Sequence, residues 1–150
     1  SGGSVTAEGG TASTTGASYA ESCGIFAHNV TISGGTVNAD GGAASAAVSK
    51  SYACSYGIYA DNVTISGGEV TATGGTASAV NTGGHAESYG IYAYDLTVSD
   101  GEVTATGGTA SAAGTDGKAY SRGIYVDMEA TISGGEVTAT GGSASADSKA

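Results

Sequence analysis

The stretch Ile65–Ala79, ISGGEVTATGGTASA, decides the fold, because the chain keeps repeating it. It returns at Val98–Ala112 as VSDGEVTATGGTASA and at Ile132–Ala146 as ISGGEVTATGGSASA. A looser copy, ISGGTVNADGGAASA, occupies Ile32–Ala46, and the chain opens on a partial one, SGGSVTAEGGTAS. A second anchor sets the period. The pair Gly-Ile begins at Gly24, Gly57, Gly90 and Gly123, so successive copies stand 33 residues apart. The two anchors stay in phase except for one residue missing before Gly24 and one extra near Glu129. Between them lies a tolerant segment that reads AVSKSYA, AVNTGGHA and AAGTDGKA in successive units. Each unit is therefore a fixed scaffold with one variable loop, and a fixed period of this length is the mark of a repeat architecture.

Composition alone would suggest disorder, since 28 of 150 residues are Gly and the net charge is −10. The strict register argues against that, because disorder needs none. Helices are not expected: Gly pairs recur every few residues, with β-branched Val, Ile and Thr between them. The segments between Gly pairs alternate with period two. Val63 and Ile65 share one face and Asn62, Thr64 and Ser66 the other. Val70 and Ala72 point in while Glu69, Thr71 and Thr73 point out. Ala77 and Ala79 point in, as do Ile58 and Ala60, with Tyr59 outside. Strands of four to five residues joined by two-residue Gly corners are the expected local structure.

Hairpins would not give identical residues identical environments. A coil does, if each 33-residue unit makes one turn and stacks on the last through parallel hydrogen bonds, roughly 4.8 Å away. Equivalent residues then form inward columns: Ile25, Ile58, Ile91 and Ile124; Ile32, Ile65, Val98 and Ile132; Val37, Val70, Val103 and Val137. Alanine columns line the narrow third side. No single turn can bury its apolar face, so the sequence repeats because the core is one-dimensional.

These residues resemble a parallel β-helix, an all-β β-solenoid, and within that class the Gly/Thr/Ser-rich TISGGTVTATGG repeats of bacterial surface and carbohydrate-binding β-helix proteins. The resemblance spans nearly the whole chain. It implies a three-sided coil that is right-handed, as the crossover rule for parallel strands also requires. Residues 1–150 form one solenoid domain of roughly four and a half turns: a partial turn over 1–23 and turns starting near 24, 57, 90 and 123. It further implies an extracellular or cell-surface location. The chain departs from pectate-lyase-like β-helices, whose cleft carries clustered carboxylates and basic residues, because it has one Arg, Arg122, and three Lys. The calcium-roll nonapeptide GGxGxD never occurs, and no hexapeptide period appears. The sequence shows no capping helix, Pro or charged blocking strand at either end. Two expectations follow: the chain is part of a longer repeat protein, or its ends stack on a copy to give a head-to-tail filament.

Little in the chain reads as catalytic. Cys23 and Cys54 fall on adjacent turns, two residues out of register, which predicts Cα atoms roughly 8 Å apart. A disulfide needs less than about 7 Å, so two free, partly buried thiols are expected. His28 and His85 lie in different columns and read as surface residues. No GxSxG, P-loop or dinucleotide fingerprint occurs. A pI near 4.1 argues against nucleic acid, and no run is long and apolar enough for membrane insertion. A non-enzymatic module is expected, with self-association, neighbouring repeats or polysaccharide as partners.

Three outward ladders remain. The first is aromatic: Phe26, Tyr59, Tyr92 and Tyr125. It reads as ring stacking on a solvated face, or as a strip for sugars or a partner solenoid; Tyr19, Tyr52 and Tyr120 form a less regular set. The second is acidic: Glu69, Glu102 and Glu136, with carboxylates about 5 Å apart. Their repulsion is roughly 0.8 kcal/mol in water and about 3 kcal/mol at a dielectric of 20. Splayed side chains relieve it, or bound Ca²⁺ does, with Asp61, Asp95 and Asp127 as further oxygen ligands. The third is hydroxyl: Thr71 and Thr73, Thr104 and Thr106, Thr138 and Thr140. Thr31 and Ser33, Thr64 and Ser66, Thr97 and Ser99, and Thr131 and Ser133 flank it. It resembles the TxT faces of ice-binding β-solenoids, although Thr is also simply a good exposed strand residue. The glutamates on the same strands, and Asn38 and Asp40 in one turn, break the array.

Overall fold

The computed structural model describes residues 2–16 and 18–147. Their regular structure is entirely strand: β1 (Ser4–Glu8), β2 (Ala12–Thr14), β3 (Tyr19–Asp40), β4 (Ala43–Ala46), β5 (Tyr52–Thr73), β6 (Thr76–Ala79), β7 (His85–Thr106), β8 (Thr109–Ala113), β9 (Lys118–Ile132), β10 (Glu136–Thr140) and β11 (Ser143–Asp147). Every strand pairing is parallel. One sheet runs β1-β3-β5-β7 and ends on β9 and β10; the other runs β2-β4-β6-β8-β11. The repeat thus folds as a β-solenoid of about four turns, and the Gly-Ile columns align, with Ile25 beside Ile58, Ile58 beside Ile91 and Ile91 beside Ile124.

The expected strands of four to five residues appear as β1, β4, β6, β8, β10 and β11, but elsewhere longer ones replace them. β3, β5 and β7 each run for 22 residues, because the backbone keeps its hydrogen bonds to the neighbouring turns while it bends. Between β3 and β5 and between β5 and β7, pairing slips at the SGG and SDG corners, between Ile32 and Thr36 and between Ile65 and Glu69. The corner glycines Gly35, Gly68, Gly101 and Gly135 have φ of 84°, 93°, 98° and 81°, a region that disfavours a Cβ. A Cβ on Gly68 would also lie 2.6 Å from the Gly35 carbonyl oxygen. The extra residue near Glu129 appears as a second slip, where Ala93 pairs Val126 but Asp95 pairs Glu129. It leaves Met128 76% exposed.

The interior has two lobes. The larger packs Ile58, Val63, Ile65, Val70, Ile91, Leu96, Val98 and Val103. The smaller is built of alanine alone, from Ala44, Ala46, Ala53, Ala77, Ala79 and their equivalents. Between them the walls touch at the Gly-Ile glycines. A Cβ on Gly57 would come within 2.7 Å of the Ala39 carbonyl oxygen and of the Thr73 amide.

A serine column closes this pinch. Ser88 Oγ donates to the Gly75 carbonyl at 2.7 Å and accepts from the Gly108 amide at 3.0 Å. Ser22, Ser55 and Ser121 repeat the bridge at their own Gly-Gly corners. Each buried hydroxyl sits between the amide of one turn and the carbonyl of the previous one. It satisfies a corner donor that would otherwise be lost from the ladder.

Candidate binding face

The first third of each long strand, and the start of β9, builds one outer surface. In β5, alternation sends Ala53 and Ser55 inward and Tyr52, Cys54 and Tyr56 outward. The bend at Gly57 then turns Ile58 in and Tyr59 out. Register stacks these positions into four columns. They are Tyr19, Tyr52, His85 and Lys118; Glu21, Cys54, Glu87 and Tyr120; Cys23, Tyr56, Tyr89 and Arg122; and Phe26, Tyr59, Tyr92 and Tyr125. The nine Tyr and one Phe are all the aromatic residues of the chain, and every one lies on this face. Neither lobe of the core contains an aromatic ring.

The rings form a continuous sheet. Phe26 and Tyr59 have centroids 5.1 Å apart, Tyr59 and Tyr92 4.9 Å, and Tyr92 and Tyr125 5.3 Å. Tyr56 packs against Tyr59, Tyr89 and Tyr92, and Tyr94 meets Tyr92 edge on. Tyr19, Tyr52 and His85 stack in their own column. Tyr120 belongs to the column of Glu21 and Glu87, so the expected Tyr19, Tyr52 and Tyr120 set is not one ladder. Tyr56 and Tyr89 lie outside the solenoid, yet are only 6% and 2% exposed because neighbouring rings cover them. Burial is the main reason both phenols titrate well above their ordinary value.

Charge is placed within this surface. The Arg122 guanidinium lies 4.8 Å from the Tyr125 ring centroid, 5.1 Å from Tyr120 and 5.6 Å from Tyr89, distances suited to cation–π attraction. Glu87, Tyr89, Tyr92, Tyr120, Arg122 and Tyr125 line a groove of about 330 Å³ beside it. The cysteines are free and two positions out of register, Glu21 pairing Cys54 and Cys23 pairing Tyr56. Burial pushes the Cys54 thiol up to about 12 and raises Cys23 as well, so neither is an activated nucleophile. His28 Nδ1 meets Asp61 Oδ2 at 2.6 Å, and His85 stacks on Tyr52.

The other ladders are elsewhere. Glu69, Glu102 and Glu136 do form one column, on exposed positions. The three aspartates do not join them as a set. Asp61 pairs with His28, Asp95 sits beside Asn62 and Glu129, and Asp127 lies at the slip in β9. Among the described residues no group of three His, Cys, Asp or Glu side chains is placed to hold a metal ion. Thr71, Thr104 and Thr138 align, as do Thr73, Thr106 and Thr140, and Asn38 and Asp40 interrupt the two rows, with Thr6 and Glu8 beyond them. The flanking Thr31, Thr64, Thr97 and Thr131 also align. Their serine partners do not, since Ser33 pairs Gly67 and Ser66 pairs Asp100 across the slipped corner.

Reading from the sequence found the Phe26 column but missed Tyr56, Tyr89, Arg122, Glu21 and Glu87. The available signal was alternation carried back from Gly-Ile into ESCG, CSYG, ESYG and YSRG.

A family model described as beta helix repeat matches residues 30–47, 63–91, 96–117 and 131–146, together more than half of the chain. No curated protein and no solved structure gave a match. The matched segments contain the core strands and Gly corners of successive turns, and the chain belongs to the beta helix repeat family.

Proposed function

We propose that this chain is a non-enzymatic β-solenoid module, extracellular or at a cell surface, that adheres to polysaccharide through its aromatic face. The observation that carries the reading is the collection of all ten aromatic side chains on one outer surface. The core is complete without them, in Ile, Val, Leu and Ala, so rings placed outside serve contact and not folding alone. Phe26 is 70% exposed and Tyr19 59% exposed. Such a strip is what the apolar faces of sugar rings stack on, and tyrosine adds hydroxyls for the sugar's polar edge. Parallel pairing between successive turns suits stacking on further turns, and a longer stack would multiply these contacts into avidity.

Co-sedimentation with insoluble cellulose and chitin tests the reading. The native chain should pellet with at least one of them, and Tyr59→Ala with Tyr92→Ala should weaken binding about ten-fold, from about 1.4 kcal/mol of lost stacking. Unchanged binding by a folded double variant would contradict it.

A further inference from the structure

One part of the aromatic face has the wall chemistry of a cation site and, among the described residues, no cation from the chain. Tyr56, Tyr59, Tyr92 and two further tyrosines, with Glu21 and Glu87, line a pocket of about 210 Å³. Glu21 and Glu87 stand in one column, two turns apart, with the buried Cys54 between them. Glu21 accepts from the Cys23 thiol at 3.4 Å and Glu87 from the Tyr56 hydroxyl at 3.4 Å. Among the described residues no basic side chain lies within salt-bridge reach of either carboxylate.

The neighbouring groove shows what such walls hold. There Arg122, the chain's one arginine, lies over Tyr89, Tyr120 and Tyr125. The same column carries Tyr89 and Tyr56 in the preceding turns, so among the described residues it supplies no cation to the pocket beside them. A metal ion is a poor fit, because rings form most of the wall and oxygen donors are too few. A net charge of −10 raises the local concentration of cations.

We propose that this pocket binds an organic ammonium group, and that the polysaccharide held by the aromatic face is one bearing free amines. The inference rests on the adhesive reading above. An amino sugar satisfies both parts of the surface. Its ring stacks on the Tyr59 and Tyr92 stripe, and its ammonium enters between Glu21 and Glu87, with cation–π and charge-assisted contacts. The stripe continues to Phe26 and Tyr125, which favours a polymer of rigid rings over a flexible lysine-rich peptide.

Calorimetry with a β-1,4-linked glucosamine hexamer, the matching N-acetylglucosamine hexamer and polylysine tests this at mildly acid pH. The free-amine hexamer should bind about ten-fold more tightly than the acetylated one. Added salt should erase that advantage in the native chain. Glu21→Gln with Glu87→Gln should erase it too, leaving the acetylated hexamer unaffected. Equal affinities for the two hexamers would overturn the ammonium site, while the adhesive reading survives if Tyr59→Ala weakens both. Tighter binding of polylysine than of the glucosamine hexamer would overturn the sugar source. Binding of neither hexamer would overturn both this inference and the carbohydrate reading beneath it.

Discussion

The rings of Tyr59 and Tyr92 meet edge to face, with centroids 4.9 Å apart and planes at 76°. Tyr92 also touches Tyr56, Tyr89, Tyr94 and Tyr125, which makes it the hub of the outer layer, whereas Phe26 touches the ring of Tyr59 at the rim. Stability should therefore fall unevenly. Tyr92→Ala should cost about 2–4 kcal/mol and Phe26→Ala less than about 1 kcal/mol, since each ring pair contributes roughly 0.5–1.5 kcal/mol. Denaturant unfolding of the two variants checks the order, and equal losses would mean that the layer is a set of independent side chains.

The serine column gives a second prediction. Ser88→Ala leaves the Gly108 amide without its acceptor, while the Gly75 carbonyl keeps the Thr109 amide at 3.0 Å. One orphaned donor costs about 1–3 kcal/mol. The control is Ser78→Ala on the outer face of β6, which should stay within about 0.5 kcal/mol. Thermal unfolding distinguishes the two, and a neutral Ser88→Ala would show that the bridge is dispensable.

Ile65 is fully buried and Thr64, its chain neighbour, points outward. Ile65→Asp should cost several kcal/mol, because it places a carboxylate in the larger lobe without a partner. Thr64→Asp should be mild. Equal damage measured by circular dichroism melting would contradict the inside–outside assignment.

Alkaline pH should loosen the outer layer. Burial raises the phenols of Tyr56 and Tyr89 and lifts the Cys54 thiol from 9.0 to about 12. The folded state thus holds these protons more tightly than the unfolded chain. Their contribution is whole below the unfolded values and is lost as pH climbs from about 9 towards 12. Melting temperature should fall across that window, less steeply in Tyr56→Phe. A flat profile through the window would contradict it.

The period-two pattern and the 33-residue spacing made the coil legible. Ile58, Ile65 and Val70 are inward for the reason alternation states, and Phe26, Tyr59, Tyr92 and Tyr125 stack because equivalent positions in a coil must. What alternation hides is contact between columns. Tyr56 reads as an outward residue, but rings on three sides bury it. Ser55 reads as a polar residue on the wrong face until the Gly42 carbonyl and Gly75 amide are seen beside it. Gly pairs suggest broken strands, which holds at Gly74-Gly75 but not at the SGG and SDG corners within β3, β5 and β7. Parallel neighbours instead keep the backbone paired through the bend, so β5 runs unbroken from Tyr52 to Thr73.

The most direct measurement of the central claim is nuclear magnetic resonance mapping of bound sugar on the native chain. Titration with the glucosamine hexamer, using ring-labelled tyrosine and methyl-labelled threonine, reports each face separately. The account predicts shifts concentrated at Tyr59, Tyr92 and Tyr125, with Thr71 and Thr104 silent. Shifts centred on the threonine rows, with the tyrosine rings unmoved, would contradict it.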